Sequence, residues 1–420
     1  MSTTKLTTHH GMVDLLPEDT EKWNYIESVI KDVARRYHFQ EIRTPIMEPT
    51  ELIARGVGQL TDIVSKEMFA FNRGDDQYVL RPEGTAPVAR AFIQHHMAQR
   101  GGVQRLFYIG PFFRAERPQK GRQRQFHQFG AELIGAKGAI ADAEIIAFMM
   151  EVYRRFGIEN IKLKVNSVGN PSSRAAYKKA LYEYFVPLQD QLSDISRNRL
   201  ESNPMRILDS KEEQDQPLKE KAPRITDYLE KESRDHYEEV QQHLKQLGIP
   251  FETDPFLVRG LDYYTETAFE LISPDLGSQD ALGGGGRYDL LIEEIGGAPA
   301  PAVGFACGME RLLIVLEALN IELPSAEPPD VYFVTRGAPA AKWALETMPG
   351  LRSKGLVCTM DYSGRSIKAQ MKDANRQQAR YAIIAGEQEL EEQIFTFRDM
   401  SESTEKKAAM ADIISEICQK

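Results

Sequence analysis

Basic side chains are concentrated between residues 114 and 124 of a chain whose formal net charge is −10. They are Arg114, Arg117, Lys120, Arg122 and Arg124. Glu116 is the single acid among them. Guanidinium groups pair with phosphate oxygens through two parallel hydrogen bonds, so the segment predicts contacts to phosphate. Arg114 follows the apolar run FYIGPFF, a predicted strand that could aim its side chain. A solvated hairpin loop is the alternative interpretation.

Another arginine opens the segment RGLDYYTETAFE, residues 259–270, whose composition predicts a β-strand. A strand that only packs in a core would not need Arg259 at its start, or an acid beside Tyr263 and Tyr264. The polar start therefore predicts that this arginine contacts a ligand.

Polar side chains recur on the predicted strand RQFHQFGAELIG. Gln128, Gly130 and Glu132 alternate along it and therefore share one face, which predicts the lining of a pocket. In the turn RPEGTAP, Glu83 and Thr85 offer an acceptor and a hydroxyl that could hold an ammonium group. Helix capping is the alternative for Glu83 and Thr85, and the residues alone favour it.

Four glycines, residues 283–286, precede Arg287, Tyr288 and Asp289. The run lacks the Gly-Lys-Ser/Thr of a phosphate-binding loop and does not fit the dinucleotide-binding pattern. Two interpretations stay open: a flexible turn, or a place where the backbone approaches a ligand closely.

Arg311 follows the segment GFACGM and is predicted to lie in the first turn of an apolar helix. An arginine there, beside free backbone N–H groups, suits a polyphosphate. A solvated surface arginine is the alternative.

Five basic residues recur every three or four positions near the C-terminus and predict a stripe on one helix face: Arg365, Lys368, Lys372, Arg376 and Arg380. In an acidic chain such a stripe is a candidate contact for an RNA backbone. An ordinary solvated helix face is the alternative.

Composition excludes several classes of protein. No run of about 18 apolar residues is present, which argues against a transmembrane helix, and the first residues lack a signal-peptide core. Cys307, Cys358 and Cys418 are too few and too dispersed for a disulfide framework or a CxxC metal site, which favours the reducing cytoplasm. The histidines show no reliable metal-ligand spacing, so no metal site built from protein ligands alone is expected.

The elements that position these residues follow from hydrophobic periodicity and turn signals. A helix is predicted over residues 18–37, then one short strand in EIRTPIMEP and a strand pair at residues 68–71 and 78–80. Two strands border the basic loop, and a helix follows over residues 141–156. Residues 171–250 are rich in Lys, Glu, Gln and Tyr at helical spacing, which predicts a helical insertion.

The segment IELPSAEPPD contains three prolines and no periodicity, which predicts a linker over residues 321–329. Beyond it, VYFVTRG, LVCTMDYS and YAIIAGE alternate with helical segments. This β-α-β-α-β order predicts a small α/β domain with mostly parallel strands. The predicted domains are residues 1–325 and residues 330–420.

The order of these motifs resembles the class II aminoacyl-tRNA synthetases, and specifically the bacterial histidyl-tRNA synthetase family, over nearly the whole chain. The helix before EIRTPIMEP looks like motif 1, FYIGPFFRAERPQKGRQRQFHQFGAELIG like motif 2, and AVGFACGMERLLIVLE like motif 3. LVRGLDYYTETAFE and GGGGRYDLL resemble two motifs peculiar to the family. The resemblance implies an α+β fold: an antiparallel-sheet catalytic domain with a helical insertion, and a C-terminal α/β anticodon-binding domain.

Matched position by position, the resemblance implies three sets of site residues. Those of the ATP site are Arg114 and Arg259 at the α-phosphate, where both are catalytic, Arg311 at the γ-phosphate, and Glu116. Those of the histidine site are Glu83, Thr85 and Gln128 near the α-amino group, Glu132 and Tyr264 at the imidazole, and Tyr263 and Tyr288 beside them. Those that contact tRNA are Arg117, Lys120, Arg122, Arg124, Arg365, Lys368, Lys372 and Arg376.

The implied activity is formation of histidyl-adenylate from histidine and ATP, with Mg²⁺, followed by transfer of histidine to histidine tRNA. A cytoplasmic homodimer, joined through motif 1 and without membrane contact, is also implied. One alternative is a non-catalytic, histidine-sensing regulatory subunit of ATP phosphoribosyltransferase, but such relatives lack the anticodon-binding domain and the catalytic arginines. Another is a class II synthetase for a different amino acid, against which RGLDYY and GGGGRYD argue.

Overall fold

The computed structural model describes residues 5–58, 61, 63–279, 281–324 and 327–419. Residues 325 and 326 of the predicted linker lie outside the described residues. The chain divides into two compact units, Met1–Pro324 and Ser325–Lys420. No helix within the described ranges is both long and apolar enough to cross a lipid bilayer.

The first unit combines helices with strands of very different lengths. Its strands are β1 (Gln40–Glu41), β2 (Met47–Pro49), β3 (Phe69–Arg73), β4 (Asp76–Leu80), β5 (Gln104–Phe113), β6 (Gln125–Ile134), β7 (Lys162–Ser167), β8 (Glu252–Thr253), β9 (Thr265–Ile272), β10 (Ala281–Arg287) and β11 (Ala302–Gly308). Its helices are α1 (Pro17–Arg36), α2 (Thr50–Val57), α3 (Thr85–Gln94), α4 (Ala139–Arg155), α5 (Pro171–Phe185), α6 (Asp194–Ser202), α7 (Gln216–Lys219), α8 (Lys231–Gln246), α9 (Leu291–Glu294) and α10 (Met309–Ala318).

An eight-stranded sheet forms the centre of this unit, in the order β1-β5-β6-β11-β10-β9-β7-β8. All of its pairs are antiparallel except β1 with β5 and β7 with β8 at the two edges. A separate three-stranded sheet has the order β2-β4-β3. The predicted α+β class with an antiparallel sheet is therefore confirmed.

The helix α1 forms because its apolar residues repeat at helical spacing after a proline at the first turn and acids near the N-terminus. Ile26, Ile30 and Val33 are fully or almost fully buried on its inner face. They join the same apolar core as α4 and the sheet residues Phe129 and Phe305. One face of the sheet is thereby covered. On the other face, Leu106 and Ala268 pack with Val88 of α3 in a second apolar core, and the rest of that face is left to line a site.

Two sequence predictions about strands are wrong in their details, and one of the two interpretations left open for the glycine run is excluded. The segment EIRTPIMEP contains no single strand, because β1 ends at Glu41 and β2 begins only at Met47. Residues 259–264 are not part of a strand either, since β9 begins at Thr265. The four glycines are no flexible turn: they lie within β10, hydrogen-bonded between β9 and β11.

Between β7 and β8 the described chain contains α5, α6, α7, α8 and short 3₁₀ turns, and no strand. Tyr177, Leu181 and Phe185 are buried on α5, and Val240 and Leu244 are buried on α8. Polar residues at the intervening positions face solvent, which explains the mixed composition. We call residues 171–246 the helical segment.

The second unit has a five-stranded sheet in the order β13-β12-β14-β15-β16. Its elements are β12 (Val331–Thr335), α11 (Ala338–Arg352), β13 (Cys358–Met360), α12 (Ile367–Arg376), β14 (Tyr381–Ala385), α13 (Glu387–Glu392), β15 (Phe395–Asp399), β16 (Thr404–Ala408) and α14 (Met410–Gln419). β12 pairs in parallel with both β13 and β14, as predicted. The antiparallel strands β15 and β16 were missed by the sequence analysis.

Candidate active site

A cavity of about 400 Å³ opens on the free face of the large sheet. The predicted site residues that line it are Glu83, Thr85, Arg114, Glu116, Arg122, Gln128, Arg259, Tyr263, Tyr264 and Arg311. Two further predicted residues, Glu132 and Tyr288, are buried and contact each other nearby. The fold thus gathers side chains that are far apart along the chain into one place.

Six arginines line this cavity, and three of them are the ones predicted at the ATP phosphates: Arg114, Arg259 and Arg311. Arg114 follows β5, and its Nε donates to the carbonyl oxygen of Pro82 at 3.0 Å. Arg311 lies in the first turn of α10 and donates to the carbonyl oxygens of Gly121 and Ala281. Burial, together with repulsion from Arg122, lowers the pKa of Arg311. A bound anion would oppose this shift, because it stabilises the charged guanidinium group.

The third arginine, Arg259, lies in the loop that precedes β9. Its Nη1 donates to Glu270 at 2.7 Å, and its guanidinium carbon lies 5.8 Å from the centre of the Tyr264 ring. Its Nε is buried and has no hydrogen-bond partner in the described structure. A buried donor without an acceptor is costly, so the Nε atom indicates a ligand oxygen at this position.

The floor beneath Arg259 is the glycine strand β10. A Cβ atom on Gly284 would lie 2.6 Å from the carbonyl oxygen of Phe269 and 2.8 Å from Nη1 of Arg259. Only a residue without a side chain leaves room there for the guanidinium group. Of the two interpretations that the sequence left open, the flexible turn is excluded. The groups that approach the backbone here are Arg259 and the neighbouring strand β9. Close approach to a ligand stays a prediction.

Glu132 on β6 accepts hydrogen bonds from three hydroxyl groups. The donors are Thr85 at 2.7 Å, Tyr288 at 2.5 Å and Tyr108 at 3.4 Å. Burial raises the pKa of Glu132 to about 8, although the hydroxyl groups of Tyr288 and Thr85 oppose this shift. Glu132 does not line the cavity itself, whereas Thr85, which donates to it, does. The predicted contact of Glu132 with a ligand stays a prediction.

Sequence analysis missed Tyr108, because it lies in an apolar strand that was interpreted only as a support for Arg114. A Cβ atom on Gly130 would lie 2.5 Å from Cζ of Tyr108, so the glycine makes room for the ring. The signal available in the sequence was the pairing of a tyrosine on one predicted strand with a glycine on the next.

A pH dependence of stability follows from Glu132. Its folded-state pKa of about 8 lies above the ordinary value of 4.5, so the folded chain retains a proton that the unfolded chain loses between these values. Stability should therefore fall as pH rises through this window. Glu132→Gln, which cannot ionise, should reduce the fall between pH 5 and pH 8 by more than about 1 kcal/mol.

Urea unfolding at several pH values measures this effect. Glu144→Gln is the matched control, because Glu144 is a partly exposed carboxylate paired with Arg105 outside the cavity. Its profile should follow that of the unsubstituted chain. If the stability of Glu132→Gln fell with pH as steeply as that of the control and of the unsubstituted chain, the raised pKa of Glu132 would be refuted.

Glu83 caps the helix α3. Its two carboxylate oxygens accept from the backbone N–H groups of Thr85 at 2.7 Å and Ala86 at 2.8 Å. The capping interpretation is therefore confirmed. Burial raises the pKa of Glu83, and the hydroxyl of Tyr263 lies 3.4 Å from one carboxylate oxygen.

Gln128 offers a second unpartnered atom. Its Oε1 is buried and accepts no hydrogen bond in the described part of the chain. It lines the same cavity as Arg259, whose Nε lacks an acceptor. The cavity thus presents one unpaired acceptor and one unpaired donor, which suits a ligand with both an ammonium group and an anionic group.

The basic loop between β5 and β6 contains two cations that have hydrogen-bond or ion-pair partners and two that are exposed. Arg122 forms an ion pair with Glu116 at 3.2 Å, and Arg124 donates to the carbonyl oxygen of Glu116 at 3.4 Å. Arg117 and Lys120 are exposed. Of these four cations, only Arg122 lines the cavity.

The predicted basic stripe of the second unit is wrong as a single helix face. Arg365 precedes α12 and pairs with Asp361 and Asp373 at 2.5 and 2.7 Å, and Arg376 pairs with Asp373. Hydrogen bonds from these arginines lower the pKa of Asp373. Arg380 lies beyond the helix and is paired with Asp330. The exposed cations on the helix itself are Lys368 and Lys372, together with the paired Arg376.

Within the described residues no group of three histidine, cysteine or acidic side chains could hold a metal ion by itself. Glu116, Glu270 and Glu310 nevertheless line the cavity. Mg²⁺ is usually held by one or two carboxylates together with substrate phosphates. The residues present are therefore compatible with Mg²⁺ that arrives with a nucleotide.

The match to known proteins covers both units. Residues 11–312 match the family described as histidyl-tRNA synthetase, and residues 331–420 match the anticodon binding domain. Histidine–tRNA ligase from Synechococcus sp. strain JA-3-3Ab is 49% identical over 380 residues, 90% of either chain. The enzyme of that name from Chloroherpeton thalassium is 46% identical over 417 residues, 98% of either chain. The structure of apo histidyl-tRNA synthetase from S. aureus has a TM-score of 0.83 and 39% identity, and the match covers 99% of this chain and 100% of that one.

The antiparallel sheet, with the predicted ATP-binding arginines around one cavity, fits the fold and site of a class II aminoacyl-tRNA synthetase. The matches give the family within this class. The chain belongs to the histidyl-tRNA synthetase family. A regulatory subunit is less supported, since the ligases match nearly the full length and the second unit matches an anticodon-binding domain.

Proposed function

We propose that this chain activates histidine with ATP, forms histidyl-adenylate and pyrophosphate, and then transfers histidine to the 3′ end of histidine tRNA. One observation carries the proposal: a single cavity is lined by the three predicted arginines and by two residues, Arg259 and Gln128, that each have a buried atom without a hydrogen-bond partner. The chemistry needs no enzyme nucleophile. An oxygen of the histidine carboxylate forms a bond to the α-phosphorus as the bond to the pyrophosphate oxygen breaks, so catalysis rests on positioning and on charge stabilisation.

The arginines take roles that follow from their placement. Arg114 and Arg259 would hold the oxygens of the α-phosphate, where negative charge is redistributed in the transition state. Arg311, with the N-terminal turn of α10, would hold the γ-phosphate. Glu116 would contact the nucleotide from the loop after β5. Guanidinium groups stay charged at every working pH, which suits a site crowded with phosphates.

The histidine substrate would occupy the side of the cavity near α3. Its ammonium group would donate to Gln128 Oε1, close to Glu83 and Thr85. Its imidazole would lie by Tyr264 and the wall formed by three buried residues, Glu132, Tyr263 and Tyr288. An analogue without both ring nitrogens would leave buried polar groups unpaired, which is a strong source of selectivity.

Mg²⁺ supplies charge neutralisation of the triphosphate when it is bound. Glu310 and Glu270 would be the carboxylates that contact it, since both line the cavity beside the arginines. In the free chain Glu310 accepts from the backbone N–H of His127 at 2.9 Å, and Glu270 pairs with Arg259. Both carboxylates are thus held in place before the nucleotide binds.

The tRNA would contact two regions of the chain. Arg117, Lys120, Arg122 and Arg124 belong to the loop at the cavity mouth and would meet the acceptor end. Arg365, Lys368, Lys372 and Arg376 would meet the anticodon stem. A groove of the second unit supports this assignment: Arg365 and Lys368 line it with the exposed ring of Tyr362, on which an unpaired base could stack.

The chain is also proposed to work as a homodimer in the cytoplasm. Ile46, Met47 and Phe71 are large apolar side chains on or beside the small sheet β2-β4-β3, and 44%, 46% and 43% of their surfaces are exposed. A second copy could cover this patch. Cys307 and Cys358 are buried free thiols, and Cys418 is an exposed one, as expected in a reducing compartment.

Sedimentation equilibrium tests the dimer. A chain at micromolar concentration should sediment with about twice the 47.6 kDa mass of one copy. Met47→Lys should weaken the association, whereas Leu247→Lys, at another exposed apolar position on the same unit, should not. A monomer at micromolar concentration would refute the proposal.

Pyrophosphate exchange into ATP, measured with each amino acid in turn, tests the activity. Exchange with histidine alone would establish activation and specificity together. Exchange with another amino acid would refute the specificity. Histidine binding without any exchange would instead favour a regulatory subunit.

A further inference from the structure

The loop of residues 258–264 carries Arg259, Tyr263 and Tyr264 into the cavity, and we call it the arginine loop. It lies between β8 and β9 and belongs to no strand. Its backbone carbonyls are therefore not held by a sheet ladder. Several of them instead accept hydrogen bonds from arginines of the helical segment.

Arg206 holds the loop beside the catalytic arginine. It lies in the 3₁₀ turn Pro204–Ile207, and its Nη2 donates to the carbonyl oxygen of Gly260 at 2.7 Å. Arg199 on α6 supports this turn, because its Nη1 donates to the carbonyl oxygen of Arg206 at 3.0 Å. The backbone next to Arg259 is thus tied to α6 through two successive arginines.

Arg174 holds the other end of the loop. It lies on α5, and its Nη1 donates to the carbonyl oxygen of Tyr264 at 2.6 Å and to that of Asp262 at 3.2 Å. Burial lowers the pKa of Arg174, but a guanidinium group remains a cation. Its contacts fix the backbone of the tyrosine that faces the cavity.

The start of β9 is tied to α8 as well. Glu266 adopts φ of +48°, a left-handed conformation, where the pairing of β9 with β10 shifts register. Its carboxylate accepts from the hydroxyl of Ser233 on α8 at 2.8 Å. Two helices and one 3₁₀ turn of the segment therefore contact the arginine loop or the strand start that follows it.

We propose that the helical segment positions the arginine loop for catalysis, with Arg206 and Arg174 as the positioning residues. The inference rests on the proposed function. Arg206 fixes the position of the backbone beside Arg259, so its loss should slow the chemical step. Arg174 fixes the position of the Tyr264 backbone, so its loss should weaken histidine binding. A displacement of about 1 Å in such groups can lower a rate up to about 100-fold.

Alanine substitutions separate the two roles in histidine-dependent pyrophosphate exchange. Arg206→Ala should lower kcat about tenfold or more with little change in the KM for histidine. Arg174→Ala should raise the KM for histidine about tenfold, with a smaller effect on kcat. Arg174→Lys should recover part of the loss, since one ammonium group can donate to the Tyr264 carbonyl.

Arg197→Ala is the matched control. Arg197 lies on α6 and, like Arg174, donates to two backbone carbonyls, those of Gln189 and Leu192. Both acceptors belong to the helical segment itself and lie outside the arginine loop. This variant should retain the kcat and KM of the unsubstituted chain.

Arg206 also lines the cavity, so a direct contact with ATP must be distinguished from positioning. A direct contact would raise the KM for ATP in Arg206→Ala and would overturn the inference for this residue. Equal losses of kcat and of histidine binding in every variant, Arg197→Ala included, would indicate a structural role only and would also overturn it. If Arg174→Ala does not fold, Arg174→Lys takes its place: its KM for histidine should be raised, whereas Arg206→Ala should lower kcat with little change in that KM. Absence of exchange in the unsubstituted chain would instead refute the proposed function.

Discussion

Arg259→Ala is expected to lower kcat for histidine-dependent pyrophosphate exchange about 10³-fold, with the Kd for histidine nearly unchanged. The reason is the placement of its guanidinium group. Nη1 is held by Glu270, whereas the buried Nε has no acceptor and is free for a phosphate oxygen. The charge it supplies matters most where the α-phosphate rearranges, and histidine does not depend on it for binding.

Exchange kinetics and calorimetric titration with histidine measure the two quantities. Arg105→Ala is a suitable control, because Arg105 on β5 is paired with Glu144 and lies near the Phe39 ring, away from the cavity. It should retain normal exchange. Parallel losses of histidine binding and exchange in Arg259→Ala would show that Arg259 supports the histidine pocket rather than the phosphate.

Gly285→Ala is expected to destabilise the first unit by on the order of 3 kcal/mol. A Cβ atom on Gly285 would overlap the carbonyl oxygen of Gly304 and lie 2.7 Å from Cα of Phe305. Both atoms are backbone atoms of β11, so neither can move as the end of a flexible side chain can. The strand would have to separate from its neighbour or rotate, and the hydrogen bonds of the pair would weaken.

Urea unfolding followed by circular dichroism measures this loss. Gly138→Ala provides the control: Gly138 precedes α4 with φ of −77°, and a Cβ atom there would meet only Ile140 at 4.0 Å. That change should alter stability by less than about 1 kcal/mol. An equally small effect of Gly285→Ala would mean that β10 can move away from β11 without cost.

Residue type and local context indicated phosphate contacts at Arg114 and Arg311, whereas the roles of the histidine-site residues were implied only by the resemblance to the family. Arg114 ends a predicted strand and Arg311 begins a predicted helix, and both elements exist where periodicity placed them. Alternation along β6 correctly assigned Gln128 and Glu132 to one face of the strand. A strong periodic pattern reflects the local sequence, so the helix or strand that it predicts is also found in the folded chain.

Other features depend on contacts that no local pattern encodes. The glycines of β10 looked like a turn because glycine has low strand propensity, yet the crowding by Arg259 and the neighbouring strands requires them. The arginine loop looked like a strand because its neighbours are β-branched or aromatic. In the second unit, helical spacing suggested one basic face, but Arg365 and Arg380 lie outside the helix, and carboxylates pair with them. The pair formed by Arg380 and Asp330 joins residues 50 positions apart and becomes visible only in three dimensions.

The strand order of the large sheet has a consequence for how the chain is made. β6, completed at Ile134, pairs on one side with β11, which begins only at Ala302. During synthesis the ribosome would therefore release β5 and β6 long before their central partners exist, leaving an apolar edge unpaired. Nascent chains arrested before residue 302 should be aggregation-prone and dependent on chaperones. The second unit, whose strands are contiguous in the chain, can complete its sheet soon after it leaves the exit tunnel.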